Sequence, residues 1–161
     1  MSNFSFQLHL QGQCTSGKNA VIVTRTGHRF PSGRFVKWRA DAMEQLHSQI
    51  DIIKREQVKL PFNFPVNVEI TYIAKDRIRR DVPGIIDALW HLLEKCNIVT
   101  DDTFLGGYDK ELLFHNQGVD KKHAGVIISI WGDYASTTPL YKKQSKTGIK
   151  RKPRRVSRRT S

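Results

Sequence analysis

Alternating apolar and polar positions predict the strands of this chain. Residues 4–10 alternate Phe and Leu with Ser, Gln and His, and residues 66–72 alternate Val, Ile and Tyr with Asn, Glu and Thr. A period of two is typical of a strand with one buried face. Two later apolar stretches, 104–115 and 124–131, are also predicted to be strands, joined by a polar turn around residues 116–122.

Helical spacing of apolar residues predicts two helices. In residues 33–57 the apolar positions are Phe35, Trp38, Ala42, Leu46, Ile50 and Ile53, which is the pattern of a long amphipathic helix. The second helix, 83–96, opens with Pro83, a residue that suits the first helical turn. Residues 12–33 are predicted to form a long loop with a small hairpin. The order β-α-β-α-β-β therefore predicts an α/β (α+β) domain, a small mixed β-sheet with two main helices packed on it.

The positive charge is concentrated in the last part of the chain. The net charge is +12, and residues 134–161 contribute ten Lys and Arg side chains with no acid. We expect this tail to be disordered in isolation and to bind a polyanion, most simply nucleic acid. A solubilising tail or attraction to an anionic membrane are the alternatives. Residues 1–133 are nearly neutral and form the predicted folded domain.

The longest apolar runs are far shorter than the roughly 20 residues that span a bilayer. Two cysteines do not make a disulfide framework. We therefore expect a cytoplasmic protein with no membrane partner. The basic residues predicted to contact phosphates lie in the long loop, ahead of the second helix and in the tail: Lys18, Arg25, Arg29, Arg34, Lys75, Arg77, Arg79, Arg80, Lys150, Arg151, Lys152, Arg154 and Arg155. Phe30, in the same loop, is a candidate for stacking on a base.

Acidic residues bracket the second predicted helix. Asp81 precedes it, Asp87 lies within it, and Asp101 and Asp102 follow it. Neighbouring carboxylates repel one another, and a divalent cation with a preference for oxygen ligands, such as Mg²⁺ or Mn²⁺, offsets that repulsion. On spacing alone, a helix cap at Asp81 and an exposed turn at Asp101–Asp102 remain alternatives.

The stretch Asp76-Arg-Ile-Arg-Arg-Asp-Val-Pro-Gly through Thr-Asp-Asp102 resembles the RusA family of crossover-junction endonucleases, which are common in phages and prophages. The family pattern is a basic run, an Asp-x-Asp-Asn helix start, a helix, a short turn and a double Asp. Here the basic run is 77–80, the first Asp is Asp81, and the double Asp is Asp101–Asp102. The resemblance covers about residues 4–131 and not the tail.

The chain departs from this pattern at the helix start. Pro83 stands where the family has its second Asp, Gly84 where it has Asn, and Asp87 where it has a lysine. Our hypothesis is that Asp81, Asp87 and Asp102 are catalytic and hold the metal, with Asp101 beside them. Lys75, Arg80 or Lys110 are the candidates for replacing the missing lysine. His91, one turn after Asp87 on the same face, is interpreted as a partly exposed polar residue.

The resemblance implies a Mg²⁺-dependent endonuclease (Mn²⁺ is a possible substitute) that nicks four-way junctions or related branched double-stranded DNA. It also implies a homodimer, because two symmetric nicks suit a two-fold axis. The alternative is a non-catalytic basic nucleic-acid-binding protein that has lost part of its metal site. The expected location is the cytoplasm of a bacterium or of an infected host cell.

Overall fold

The computed structural model describes residues 3–16 and 21–136. Within these ranges the strands are β1 (Asn3–Gln11), β2 (Val21–Val23), β3 (Arg29–Pro31), β4 (Asn67–Ala74), β5 (Leu112–Val119) and β6 (Gly125–Asp133), the helices are α1 (Gly33–Arg55) and α2 (Val82–Lys95), and two 3-10 turns cover Asp102–Phe104 and Tyr134–Ser136. The predicted fold class, a small mixed sheet with two main helices, is confirmed. The predicted boundary between a domain at 1–133 and a tail at 134–161 stays a prediction, since residues 137–161 lie outside the described residues.

The main sheet has the strand order β1-β6-β4-β5. β6 pairs antiparallel with both β1 and β4, whereas β4 and β5 are parallel and α2 lies between them in the chain. Strands β2 and β3 form a separate antiparallel hairpin, which confirms the small hairpin predicted in the long loop. This hairpin ends just before α1, and Ser32 caps that helix by accepting a hydrogen bond from the amide of Phe35.

One face of the sheet is buried beneath both helices. The alternation in β1 places its Phe and Leu side chains inward, and the register sets Leu8 and Ile70 opposite Ile128 on the same face. The helices contribute Leu46 of α1 and Leu89 of α2 to the same cluster, and all five side chains are fully buried. Both predicted helices match the observed ones within two residues because their apolar stripes face this core.

Residues 104–111 are not a strand, so the prediction for 104–115 is wrong over most of its length. Strand β5 starts at Leu112 and continues to Val119, through much of the predicted turn. The chain turns tightly before β5 because Gly106 and Tyr108 have φ angles of 60° and 59°. A Cβ atom at Gly107 would overlap the carbonyl oxygen of Thr103. The two glycines therefore make a turn.

No helix in the described part of the chain combines the length and the apolar character that crossing a bilayer requires.

Candidate functional site

A basic cleft lies where the amino ends of α1 and α2 approach the loop that follows β1. Its volume is about 580 Å³. Residues 11–16 form one wall, α1 forms another, and the segment after β4 forms the third. The charged side chains that line it are Arg34, Lys37, Asp41, Lys75, Arg79, Arg80 and Asp81. Five cations against two carboxylates give this cleft a net positive charge, which attracts anions.

The segment that leads into α2 is held by Asp76. Its carboxylate lies 2.7 Å from the guanidinium of Arg80 and accepts a hydrogen bond from the amide of Ile78. The hydrogen bond from Arg80 holds the pKa of Asp76 below its usual value. Lys75 and Arg79 are exposed and form no ion pair with a described residue. Arg80 is therefore partly neutralised, whereas Lys75 and Arg79 keep their charge available for a ligand.

The loop after β1 is fixed against the end of β4 by Gln13. The Gln13 side chain donates to the hydroxyl of Tyr72 at 2.6 Å and accepts from the amide of Lys75 at 3.0 Å. Farther along this loop, the hydroxyl oxygen of Ser16 is buried and makes no hydrogen bond with any described residue. It lies so close to Gly84, in the first turn of α2, that a Cβ at position 84 would overlap it. The glycine that replaces the asparagine of the family pattern thus lets this wall of the cleft rest on the helix.

Asp81 occupies the N-cap position of α2, but its side chain makes no capping hydrogen bond. The carboxylate is exposed and lines the basic cleft. Asp101 behaves differently, because its Oδ1 accepts hydrogen bonds from the amide of Thr103 at 3.0 Å and from its hydroxyl at 2.8 Å. Asp101 therefore caps the 3-10 turn, while the geometry gives Asp81 no such local role.

Apart from the basic cleft, a cluster of acidic residues and a histidine lies on the carboxyl-terminal half of α2. One ligating atom from each of His91, Glu94 and Asp102 lies within 4.8 Å of the other two. His91 and Glu94 are three residues apart on one helical face, and the 3-10 turn brings Asp102 against them. Asp87 precedes His91 by one turn, with its Oδ2 3.8 Å from Nε2 of His91. We call His91, Glu94 and Asp102 the α2 cluster.

The four acids predicted to hold a metal do not form such a group in the described part of the chain. Asp81 and His91 are ten residues apart along α2, which corresponds to about 15 Å of helix axis. Asp102 joins the later half of the helix, while Asp81 lies at its start in the basic cleft. The metal-binding and catalytic roles of Asp81, Asp87, Asp101 and Asp102 stay predictions.

The predicted DNA-binding residues separate into three groups. Arg34, Lys75, Arg79 and Arg80 converge on the basic cleft, and Arg77 lines a smaller neighbouring cleft of about 250 Å³ together with Arg79 and Arg80. Arg25 and Arg29 lie on the β2–β3 hairpin, where Phe30 is 54% exposed. The residues outside the described ranges are Lys18, Lys150, Arg151, Lys152, Arg154 and Arg155.

The sequence analysis did not name Lys37 or Glu94, and it interpreted His91 as a partly exposed polar residue, which agrees with its exposed position. Lys37 lines the basic cleft, and its spacing of three from Arg34 on a predicted helix could have indicated it. His91 and Glu94 follow Asp87 at spacings of four and seven, which places all three on one helical face. The spacing alone did not show that the 3-10 turn after α2 places Asp102 beside this helical face.

Similarity to known proteins indicates the family that this chain resembles. No protein family model matches the chain. The crossover junction endodeoxyribonuclease RusA of Aquifex aeolicus (strain VF5) is 25% identical over 124 residues, which cover 77% of this chain and 89% of that protein. A phage or prophage origin stays a prediction. The resemblance to the RusA family seen in the sequence is confirmed by this similarity to a crossover junction endodeoxyribonuclease.

Proposed function

We propose that this protein is a divalent-cation-dependent endonuclease that nicks four-way junctions or related branched DNA. The observation that carries the proposal is the similarity to a crossover junction endodeoxyribonuclease along 124 residues. RusA-family proteins are metal-dependent in general. Mg²⁺ is the cation that the sequence predicts, with Mn²⁺ as a substitute, and a role on DNA fits the cytoplasm of a bacterium or infected host cell.

The basic cleft is the proposed phosphate-binding surface. Its free cations, Lys75 and Arg79, lie beside the amino end of α2, where backbone amides also favour an anion. Such contacts position the duplex but do not read its sequence. Selectivity for branched DNA then depends on the shape of the junction and on the arrangement of two active sites. The ten basic residues of 134–161 would add contacts to the arms.

The chemistry of the donor set fits a divalent cation. A cation held by carboxylates of this helix would polarise a phosphoryl oxygen and activate water for attack on the phosphodiester. Asp102 is the proposed central ligand, because it matches the second acid of the family's double Asp and approaches further ligating groups. Pro83 has no side-chain donor, so this chain needs a ligand that the family pattern does not supply.

Lys75 and Arg80 are better placed than Lys110 to replace the family's lysine. Both line the basic cleft with Asp81, where they can stabilise charge on a bound phosphate. Lys110 instead borders a separate surface cleft with Asn3 and Trp131.

The two edge strands of the sheet differ in whether their outer backbone groups are already hydrogen-bonded. At the β1 edge they are, since the side-chain amide of Gln49 donates to the carbonyl of His9 at 2.7 Å and accepts from the backbone amide of His9 at 2.8 Å. Gln45 makes the same pair of bonds with Gln11. Within the described residues β5 pairs only with β4, and Leu113 of β5 is 41% exposed. The proposed homodimer therefore forms along β5.

Light scattering after gel filtration tests the dimer. Leu113→Lys places a charge on the proposed contact, and we expect it to convert a dimer into a monomer with an unchanged fold. Ile52→Lys is a matched control on α1, because Ile52 is also an exposed apolar residue at 52%. A dimer that survives Leu113→Lys would refute pairing along β5.

Cleavage of synthetic DNA tests the activity. The protein is incubated with a four-way junction and with a linear duplex of the same arm sequences, with Mg²⁺, with Mn²⁺ and with chelator. We expect paired nicks in the junction only when a cation is present, and we expect Asp102→Asn to abolish them while the DNA is still bound. Junction binding without nicks under every condition would instead support the alternative, a non-catalytic DNA-binding protein.

A further inference from the structure

We infer that the cation of this chain is bound by His91, Glu94 and Asp102, so that the site selects Mn²⁺ and similar transition-metal ions over Mg²⁺. The inference rests on the proposed function and departs from the four-aspartate set that the sequence predicted. It gives a ligand role to an imidazole and a glutamate, neither of which that set included.

The spacing of the three groups fits a single ion. Ligand atoms bound at about 2.1 Å are roughly 3–4 Å from one another around a metal. The three ligating atoms of the α2 cluster already lie within 4.8 Å of one another. His91 and Glu94 are anchored on a regular helix, and the turn that holds Asp102 is capped by Asp101. A side-chain movement on the order of an ångström or two therefore brings the three atoms to these separations.

The negative charges of the α2 cluster also favour binding of a cation. Glu94 and Asp102 are two neighbouring carboxylates, and among the described residues neither forms an ion pair with a lysine or arginine. Asp87 adds a third carboxylate on the other side of His91. Like charges at this separation disfavour one another. A divalent ion removes that penalty and draws the imidazole in through its neutral nitrogen.

The imidazole determines which ion is preferred. Mg²⁺ takes oxygen ligands and keeps several waters, whereas imidazole is a ligand for first-row transition-metal ions, of which Mn²⁺ binds most weakly and Co²⁺ and Zn²⁺ more tightly. A site with one nitrogen and two carboxylate donors therefore binds Mn²⁺ more tightly than Mg²⁺. The departure at Pro83 supports this assignment, because the acid that the family pattern places there is missing.

Binding of Mn²⁺ to the full chain tests the inference without any nuclease assay. Free Mn²⁺ is measured by electron paramagnetic resonance, and Mg²⁺ is added as a competitor. We expect His91→Gln and Glu94→Gln each to weaken Mn²⁺ binding at least about tenfold, since even outer-shell partners contribute ten- to hundredfold. We also expect His91→Gln to reduce the preference for Mn²⁺ over Mg²⁺.

Two controls make the result specific. His123→Gln removes an exposed histidine that pairs with a single carboxylate among the described residues, Asp120 at 2.8 Å, and we expect it to leave Mn²⁺ affinity unchanged. We expect the same of Asp81→Asn. The inference is overturned if Asp81→Asn weakens Mn²⁺ binding while His91→Gln does not. Because His91 is exposed, a variant that fails to fold is not expected, and circular dichroism verifies this.

The same samples separate this inference from the proposed function. Mn²⁺ bound at the α2 cluster by a protein that cuts no DNA would support the site and refute the nuclease. Normal junction cleavage by a His91→Gln protein with wild-type Mn²⁺ affinity would support the nuclease and refute the site.

Discussion

The basic cleft leads to a quantitative prediction about salt. Replacing both Lys75 and Arg79 with Gln removes the two exposed cations of the cleft that form no ion pair with a described residue. If each contacts one phosphate, the slope of log affinity against log salt falls by about 1.8. Between 50 and 200 mM salt, wild-type binding to a four-way junction should then weaken about 12-fold more than binding by the double variant. Fluorescence anisotropy over a salt series, with chelator present to prevent cleavage, measures both slopes.

A charge-matched control separates local contact from net charge. Lys54→Gln with Arg55→Gln removes the same charge from the last turn of α1. Those residues lie about 30 Å from Arg34 at the start of the same helix, given 1.5 Å per residue. We expect this variant to keep the wild-type slope within about half a unit. An equal drop in slope for both variants would show that binding follows total charge, and it would refute the assignment of the cleft as a phosphate-contact surface.

Three further predictions concern the fold and its titrating groups. Phe62 is fully buried and stacks on Phe4 with ring centroids 4.3 Å apart. Phe62→Ala should therefore lower the free energy of unfolding, measured by urea denaturation, by about 3–5 kcal/mol. A loss under about 1 kcal/mol would contradict this packing. Burial raises the pKa of Cys14 to about 12, so its thiol should not react with iodoacetamide at pH 8 until the protein is unfolded. NMR titration should place the pKa of Asp76 below its usual value, and Arg80→Gln should raise it. The pKa of Asp76 is lower in the folded protein than in the unfolded chain. The stability that Asp76 contributes is therefore present above its unfolded pKa and is lost as the pH falls through the folded pKa. An Asp76 pKa that does not change in Arg80→Gln would contradict the ion pair.

The elements that face the core could be predicted from the sequence. The apolar stripes of α1 and α2 and the alternation in β1 and β4 specify burial on one face, and this periodicity is visible in the chain itself. β5 was misplaced because its exposed pattern has no alternation: it lies at the sheet edge, where no helix buries one of its faces. In the tight turn at Gly106–Gly107 the chain passes so close to the carbonyl of Thr103 that a Cβ at position 107 would overlap it, and the prediction of a strand over 104–115 did not anticipate this approach.

The candidate site was predictable only in part. The basic run before α2 and the double Asp are local in sequence and could be recognised there. Which of these groups lie close together depends on where the segment after α2 packs against that helix. The structure places Asp102 beside His91 and Glu94, and not beside Asp81. The spacing of Arg34 and Lys37 places them on one helical face, but that face lines the cleft only because α1 starts beside the loop after β1, which is a long-range arrangement.

The position of the bound ion is the most direct test of this account. Crystals of the full chain are soaked in Mn²⁺, and anomalous diffraction data are collected near the manganese edge. The account predicts a peak about 2–2.3 Å from a ring nitrogen of His91 and from carboxylate oxygens of Glu94 and Asp102. A peak at Asp81 in the basic cleft, or a soaked crystal with no peak at α2, would contradict it.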